Sequence, residues 1–343
     1  MKTVFSPRHA GHSGQIELVA GKILPGFEKP SRAEIIRKRV EEVGLGPIIE
    51  PAEHDLATAR RVHRPDYIDF LPTVWPAWVA AGKQGPALPF AWPTRGLRDD
   101  VPPKNIEALL GFYSFDGGAS FVEGTWDAVK SSHDSALTAA GIVASGERAA
   151  FALCRPPGHH AGSRFMGGYC YINNAATAAE WFRMHGAEHV TVLDVDYHHG
   201  NGTQEIFWRR GDVQVVNLHG DPMTEYPFFL GHAEERGEGP GEGATRNFPM
   251  PASTDWGTWG AALEEACREV VHFAPDVLVV SLGVDTFEND PISHFRLKSA
   301  DYPKIGARIA RLGLPTLFVM EGGYAVDEIG TNAVGVLTGF EGA

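Results

Sequence analysis

The chain has 343 residues, of which 43% are hydrophobic and 21% are charged, so it is long and apolar enough to bury a sizeable core. The formal net charge of −13 argues against nucleic acid or an anionic membrane as a partner, and it is compatible with a cationic substrate. The chain contains no run of about 18 apolar residues, so no membrane span is predicted. The N terminus lacks the continuous apolar stretch of a signal peptide. Cys154, Cys170 and Cys267 have no CxxC spacing, which favours reduced thiols in a cytoplasmic protein.

The first third of the chain predicts short elements. Residues 3–5 form a candidate strand, and the glycine-rich loop at 7–21 carries Glu17. Ser31 and Glu34 match a capping box, which predicts a helix from there to about Gly44. Two short helical segments are predicted at 57–62 and 66–71.

A long insertion follows at residues 82–103. It contains five prolines and three glycines, and no helical or strand periodicity. Loops of this length are uncommon inside a domain and are usually functional or disordered. Because the loop carries Phe90, Trp92 and Leu97, we expect it to pack as a lid or as a subunit contact.

From residue 125 onward strands and helices alternate. Strands are predicted at 149–154, 190–195, 213–218, 276–282 and 315–320, and helices at 126–145, 174–185, 204–209, 255–274 and 302–311. This alternation predicts an α/β fold with a mostly parallel sheet covered by helices on both faces.

Polar motifs follow four of these strands directly. The carboxyl ends of parallel strands meet at one edge of the sheet, where ligands bind, so the motifs should converge in one cleft. Asp194, Asp196 and His198 alternate along an extended backbone and can face one point. Asp285 is the natural third metal ligand beside Asp196 and His198. Three protein ligands leave a coordination position open, as a catalytic metal site requires.

This ligand set does not identify the metal, because two carboxylates and one imidazole suit Zn²⁺ but also Fe²⁺, Mn²⁺ or Co²⁺. His159 and His160 are candidates for the general base that activates water, and the Tyr324 hydroxyl is a candidate for stabilising an oxyanion. Taken singly, each residue is more often a helix cap, a satisfied core histidine or a buried aromatic side chain. Their concentration at the strand ends favours catalysis.

Four motifs together resemble the histone deacetylase superfamily, and most of all its bacterial acetylpolyamine amidohydrolases. They are RPPGHH at 155–160, GGYCYINN at 167–174, DVDYHHGNG at 194–202 and GGY at 322–324. The resemblance implies a three-layer, arginase-like α/β fold with long loops at the carboxyl ends of the strands. It also implies that residues 1–343 form a single deacetylase domain carrying the insertion.

The resemblance further implies one catalytic Zn²⁺ per chain, held by Asp196, His198 and Asp285. A structural potassium ion is implied beside it, at Asp194, Asp196, His198 and residues 217–218.

The catalytic roles that the resemblance implies centre on the histidine pair. His160 would be the general base and then the acid, and His159 would be its electrostatic partner, hydrogen-bonded to Asp194. Tyr324 would stabilise the oxyanion. Asn201 stands where class I histone deacetylases have an aspartate beside the base. Because an amide stabilises imidazolium less than a carboxylate does, His160 should stay neutral more easily.

The implied reaction is hydrolysis of an N-acetyl amide to acetate and an amine, and the expected substrate is a small cationic acetylated amine. Tyr169 and Tyr226 would line the channel that leads to the metal. Glu17 and Glu107 match the acids that bind the distal ammonium in the polyamine enzymes. A further family acid is replaced by Gly118, with Asp116 as the nearest substitute.

Three alternatives stay open from the sequence. A deacetylase for acetyl-lysine in proteins would need an open cleft, whereas the insertion, acting in a homodimer, would narrow it. A non-catalytic sensor of acetylated amines would not require the intact catalytic motifs. An arginase-like enzyme would need two metals, and the chain has one complete ligand set.

Overall fold

The computed structural model describes residues 1–19 and 21–343. The strands are β1 (Lys2–Val4), β2 (Ile16–Val19), β3 (Lys22–Pro25), β4 (Ile48–Ile49), β5 (Ala149–Ala152), β6 (Val190–Asp194), β7 (Val213–Gly220), β8 (Thr245–Met250), β9 (Val277–Leu282) and β10 (Thr316–Met320). The helices are α1 (Pro30–Val43), α2 (Ala59–Val62), α3 (Pro65–Phe70), α4 (Val74–Ala80), α5 (Ile106–Phe112), α6 (Thr125–Ala144), α7 (Asn174–Met184), α8 (Asn201–Phe207), α9 (Trp256–Phe273), α10 (Tyr302–Ala310) and α11 (Ile329–Glu341). Short 3₁₀ turns lie at Pro7–Gly11, Leu71–Thr73 and Gly239–Gly241.

Eight strands form one sheet in the order β4-β1-β5-β10-β9-β6-β7-β8, and every pairing in it is parallel. β2 and β3 pair separately as an antiparallel hairpin. The predicted α/β fold with a mostly parallel sheet is confirmed. β5, β10, β9 and β6 lie at the centre, so the loops after them share one edge.

Alternate strand residues face opposite helical layers, as the two-residue period of a strand requires. Phe151 packs into the core formed with α1, α9, α10 and α11. Its neighbours Ala150 and Ala152 pack against α6 and α7 on the other face. The buried strands are apolar on both sides, which gives the three-layer arrangement. Within the described residues, no helix is long and apolar enough to cross a membrane.

A third apolar cluster joins the first part of the chain to the loop that carries the GGYCYINN motif. Tyr67, Leu110 and Phe121 pack there against Met166 and Tyr171. The insertion is attached to this cluster by a bridge between Ala87 and Phe121 and by a hydrogen bond from Trp92 Nε1 to Ser114 Oγ (2.9 Å). The insertion therefore lies against the protein instead of projecting freely, while Phe90 remains exposed.

The predicted capping box is wrong. Helix α1 starts at Pro30, Lys29 occupies the N-cap without a side-chain bond, and Ser31 lies inside the first turn. Proline is favoured at that first position because its φ is already helical and its missing N–H has no partner to lose. Glu34 instead accepts a hydrogen bond from Arg37 Nε (3.0 Å).

Six features had no counterpart in the sequence prediction: α4, α5, β4, the β2–β3 hairpin, β8 and α11. Strand β8 reads TRNFPM, and its polar residues hide a strand that pairs on one side only. Helix α11 reads IGTNAVGVLTGFE, in which glycines interrupt the usual helical signal. It is a helix because Ala333, Val336, Leu337 and Phe340 are buried against the sheet and α10.

Candidate active site

Four loops that follow neighbouring strands build the candidate site. The strand ends lead to His159 and His160 after β5, Glu321 after β10, Asp285 after β9 and Asp196 with His198 after β6. The Glu321 carboxylate joins two of these loops, since its Oε2 accepts hydrogen bonds from the amides of Gly158 (2.7 Å) and His159 (3.1 Å). The predicted convergence at one edge of the sheet is therefore present.

Asp196, His198 and Asp285 meet as a possible metal site. One ligand atom from each lies within 4.8 Å of the others, and all three side chains are buried. His198 Nδ1 is 3.0 Å from Asp285 Oδ2 and 3.3 Å from Asp196 Oδ1. The remaining oxygens accept backbone amides, Asp285 Oδ1 from Tyr197 (2.7 Å) and Asp196 Oδ2 from Gly322 (2.8 Å). Two buried carboxylates this close require positive charge, so these residues fit a bound metal ion.

Two glycines are required for the backbone to approach these carboxylates. A Cβ on Gly283 would lie 1.9 Å from Asp196 Oδ2, and a Cβ on Gly322 would lie 2.4 Å from Asp285 Oδ2. Any larger residue would displace the ligand oxygens. The glycines after β9 and β10 are therefore part of the geometry of the site.

The two adjacent histidines have different partners. His159 Nδ1 donates to Asp194 Oδ2 (2.9 Å), whereas His160 Nδ1 donates to the amide oxygen of Asn201 (2.6 Å). Burial lowers the pKa of His159, but the carboxylates of Asp194 and Asp196 outweigh burial and raise it to about 10. Burial, together with the charges of His159 and His198, holds the pKa of His160 well below 6.5. The pair is thus a protonated His159 beside a neutral His160 with a free Nε2.

Tyr324 lies on a firmly held loop after β10. Its amide donates to Asp290 Oδ2 (2.7 Å), and its ring lies 4.8 Å from the Arg32 guanidinium and 5.6 Å from the Tyr169 ring. Arg32 also donates to the carbonyl oxygens of Glu321 (2.6 Å) and Gly323 (2.5 Å). Burial raises the pKa of Tyr324 well above 10, so its hydroxyl remains a hydrogen-bond donor at neutral pH.

The predicted channel residues lie beside the histidines. The Tyr226 ring is 5.2 Å from the His160 ring and 5.9 Å from the His198 ring, both edge-on. Tyr169 lies across from Tyr324 and donates its hydroxyl to Glu17 Oε2 (2.9 Å). Tyr226 thus packs beside the histidines and Tyr169 beside Tyr324, and their role as channel walls stays a prediction.

The predicted substrate acids are all engaged within the protein. Glu17 accepts Tyr169 Oη and, through Oε1, the amide of Phe27 (2.6 Å). Glu107 forms a salt bridge of 2.8 Å with Lys83. Asp116 accepts the Tyr226 hydroxyl (2.6 Å), and its replacement of the missing ammonium-binding acid stays a prediction.

Two buried oxygens beside Asp194 have no hydrogen-bond partner among the described residues. Asn217 pairs with Asp194 in the β6–β7 register, and its Oδ1 is buried without a hydrogen-bond partner, as is Ser281 Oγ on the other neighbouring strand. Buried oxygens rarely go unpaired. Both unpaired oxygens lie on residues in register with Asp194 and are possible donors to a cation. His199 is not a member of the metal-ligand group, and its Nε2 bonds Gln204 Oε1 (2.9 Å).

A comparison with known protein families finds the histone deacetylase domain over residues 26–340. The chain belongs to this family. The expected superfamily is confirmed, and it is a family of generally metal-dependent enzymes.

The chain is also similar to individual members over its full length. It is 54% identical to acetylpolyamine amidohydrolase 2 of Pseudomonas aeruginosa over 342 residues, which cover 100% of this chain and 99% of that protein. It is 48% identical to an acetylpolyamine amidohydrolase of Mycoplana ramosa, with 100% of both chains covered. The crystal structure of an acetylpolyamine aminohydrolase from Burkholderia pseudomallei superimposes with a TM-score of 0.94 at 38% identity, covering 99% of this chain and 98% of that one.

Several supporting residues had not been assigned a role from the sequence. Glu321 precedes the GGY motif, and its position directly after β10 was the available signal. Asp290, which holds the Tyr324 amide, lies in a loop without a recognisable pattern. His159, Cys170 and Glu321 also bring ligand atoms within 4.8 Å. Because His159 Nδ1 is bonded to Asp194 and Glu321 Oε2 to backbone amides, this second group acts as support for the histidine pair.

Proposed function

We propose that this chain is a zinc-dependent amidohydrolase that removes acetyl groups from N-acetylated polyamines or similar small acetylated amines. One observation carries the proposal. The possible metal ligands Asp196, His198 and Asp285 lie at the same edge of the sheet as a histidine pair, of which one member is protonated and the other neutral. The full-length similarity to acetylpolyamine amidohydrolases supports the substrate class. The products are acetate and the free amine.

Asp196, His198 and Asp285 would hold the zinc ion. When bound, zinc polarises the acetyl carbonyl and lowers the pKa of a water molecule towards about 7. Two carboxylates and an imidazole also accept Fe²⁺ or Co²⁺, so zinc is the finer part of the proposal. The orphaned oxygens of Asn217 and Ser281 support potassium as a structural ion beside Asp194.

His160 acts as the base in this mechanism. Its Nδ1 is committed to Asn201, so Nε2 accepts the proton of the attacking water. His160 then donates that proton to the departing amine nitrogen. The protonated His159, held by Asp194, contributes a fixed positive charge next to the reacting atoms. The Tyr324 hydroxyl donates to the negative charge that develops on the acetyl oxygen.

The insertion at residues 82–103 favours small substrates over acetyl-lysine in proteins. It is anchored at Ala87 and Trp92, and it exposes Phe90 (72%), Leu97 (63%) and Val101 (54%). Apolar side chains exposed on one loop favour a protein contact. We infer a homodimer formed through this loop, in which a second subunit narrows the cleft.

Rates on three substrates test the proposal. The metal-replete protein should hydrolyse N-acetylputrescine and N-acetylcadaverine faster than an acetyl-lysine peptide. Peptide turnover equal to or above that of the polyamines would favour the protein deacetylase instead. No turnover at all would favour a non-catalytic sensor. Metal analysis should give about one zinc per chain, and two would favour an arginase-like site.

Cytoplasmic localisation stays a prediction. Cys154, Cys170 and Cys267 are buried free thiols in the structure. This is the expected state in a reducing compartment.

A further inference from the structure

The Asp116 carboxylate gathers hydrogen bonds from three separate segments around the channel. Oδ2 accepts the Tyr226 hydroxyl at 2.6 Å, and Oδ1 accepts the Gly118 amide at 2.9 Å. Both oxygens lie 3.2 Å from the amide nitrogen of Gly168. One side chain therefore connects its own turn, the loop before Tyr169 and the loop that carries Tyr226.

Tyr226 is packed closely enough for its position to matter. A Cβ on Gly168 would lie 2.8 Å from Tyr226 Oη and 2.3 Å from His160 Cδ2. Gly168 is therefore packed directly between the tyrosine hydroxyl and the ring of the base. The ring also stacks on Phe115 at 6.1 Å. Burial and Asp116 raise the pKa of Tyr226 well above 10, so its hydroxyl stays a donor to the carboxylate.

The loop that presents Tyr169 is strained. Gly168 has φ 51° and Tyr169 has φ 67°, and a left-handed conformation is unfavourable for a tyrosine. Such a conformation persists only where surrounding contacts hold it. The Asp116 bond to the Gly168 amide is one such contact, and the Glu17 bond to the Tyr169 hydroxyl is another.

We propose that Asp116 is a positioning residue that holds both tyrosine walls of the channel, Tyr226 through its hydroxyl and Tyr169 through the Gly168 amide. It thereby sets the channel width that admits an acetyl group and an unbranched amine. This inference rests on the proposed function of the site and names what determines its selectivity. Because both of its oxygens accept protein donors, we assign Asp116 to positioning and not to binding of the substrate ammonium.

Paired substrates separate positioning from direct binding of the ammonium. N-acetylputrescine and its uncharged analogue N-pentylacetamide have nearly the same length and differ in the terminal ammonium. In Asp116→Ala we expect kcat/KM to fall by about 10- to 100-fold, by the same factor for both substrates and mainly in kcat. The ratio of propionyl to acetyl hydrolysis should rise, because the walls are no longer fixed. A loss confined to N-acetylputrescine would overturn the proposal.

Further variants tie the effect to the two walls. Asp116→Asn should have an intermediate effect, because its single carbonyl oxygen can serve only some of the three donors. Tyr226→Phe should reproduce part of the loss, and the double variant Asp116→Ala/Tyr226→Phe should lose less than the product of the single losses. Fully multiplicative losses would mean that Asp116 does not act through Tyr226.

Asp66 provides the matched control, because it also accepts a tyrosine hydroxyl, that of Tyr113 at 3.1 Å, outside the channel. Asp66→Asn should leave the propionyl-to-acetyl ratio unchanged. A changed ratio would mean that any lost acid–tyrosine bond loosens the channel, which would overturn the specific role of Asp116.

A binding measurement keeps the inference testable if the protein hydrolyses none of these amides. Calorimetry would measure the affinity of the zinc-loaded protein for two inhibitors of equal length. One is pentyl hydroxamate, and the other is a hydroxamate that ends in an ammonium group. Both should bind about tenfold more weakly to Asp116→Ala than to the natural protein. Equal affinities for the variant and the natural protein would overturn the positioning role. An inactive natural protein that still shows the tenfold difference would overturn only the proposed function.

Discussion

At the scale of single residues, two neighbouring histidines have opposite protonation states, and only one of them has a carboxylate partner. His159 faces a carboxylate and has a pKa raised to about 10, whereas His160 faces an amide oxygen and has a pKa well below 6.5. A carboxylate holds a proton on imidazole far better than an amide does. Asn201 adds no negative charge beside His160, so burial and the charges of His159 and His198 keep His160 neutral and able to act as a base.

Replacing Asn201 by aspartate should move the acidic limb of the activity profile to higher pH. His160 works as a base only when neutral, so kcat/KM rises as the pH passes upward through its pKa. Because that pKa is lowered in the natural protein, the acidic limb should lie below pH 6.5. The new carboxylate should raise the pKa of His160, and we expect the limb to shift upward by about one to two units.

The profile of kcat/KM on N-acetylputrescine measures this shift. Asn201→Ala is the control, because it removes the hydrogen bond without adding charge, and it should lower the rate without moving the limb upward. An unmoved limb in Asn201→Asp would assign that limb to a group other than His160.

The Tyr324 hydroxyl should matter far more than that of its neighbour Tyr169. Tyr324→Phe removes a donor aimed at charge that develops in the reaction, so kcat should fall by about 100- to 1,000-fold with little change in KM. Tyr169→Phe removes only the bond to Glu17, and its loss should stay below about tenfold. Steady-state kinetics with zinc content measured in parallel tests this, and equal losses would contradict the role of Tyr324.

At the scale of elements, the sequence predicted the central strands and the polar residues that follow their carboxyl ends. Apolar runs such as 276–282 identify the central strands. The alternation of Asp194, Asp196 and His198 predicts that these three side chains face the same side of the backbone. The β4 strand, the hairpin, β8 and α11 escaped because their signals are short, polar or interrupted by glycine. Tertiary pairing and burial create those elements, and a single sequence does not record either.

The same limit applies to the rim of the site. Glu17, Glu107 and Asp116 were all plausible acids for an ammonium from their sequence positions. In the structure each has an internal partner, namely Tyr169, Lys83 or Tyr226. Whether Asp196 and His198 face the same side follows from the two-residue period of an extended backbone. The partner of a loop carboxylate, by contrast, depends on contacts with residues more than 20 positions away in the sequence. The meeting of Asp196, His198 and Asp285 could therefore be predicted from the sequence, and the partners of the rim acids could not.

Deleting residues 83–102 should change both assembly and selectivity. We expect a smaller species by light scattering, because the exposed Phe90, Leu97 and Val101 are lost. The rate on an acetyl-lysine peptide should rise relative to that on N-acetylputrescine, since the cleft opens. Phe90→Ser is the matched point variant and should weaken assembly at little cost to the fold, because Phe90 is 72% exposed. If the deletion alters neither property, the insertion is neither a lid nor a contact.

At the scale of the whole molecule, one buried acid connects distant parts of the chain. Glu28 Oε1 accepts hydrogen bonds from Arg32 on α1 and from Arg155 in the RPPGHH loop, each at 2.8 Å. Arg155 continues to the carbonyl oxygens of His9 (2.6 Å) and His12 (2.7 Å), while Arg32 reaches the loop of Tyr324. The N-terminal segment is thus joined to the candidate site through paired charges.

Glu28→Ala should therefore destabilise the protein strongly. Removing the acid leaves two buried guanidinium groups without their counter-charge, which typically costs about 3–5 kcal/mol in free energy of unfolding. Glu34→Ala on α1 is the control, because the Glu34 side chain is 46% exposed and that variant should lose less than about 1 kcal/mol. Urea unfolding at pH 7 measures both, and similar midpoints for the two variants would contradict the role of Glu28.

The destabilisation should also depend on pH in a defined direction. Burial alone would raise the pKa of Glu28, but Arg155 and Arg32 outweigh burial and lower it. A lowered pKa stabilises the folded state above the unfolded value of about 4.3. That contribution is lost as the pH falls from there through the lower pKa of the folded state. The difference in urea midpoint between the natural protein and Glu28→Ala should be constant from pH 6 to 8 and should narrow below about pH 4. A difference that widened on acidification would mean that Glu28 is protonated in the folded protein and that the arginines are neutralised by another group.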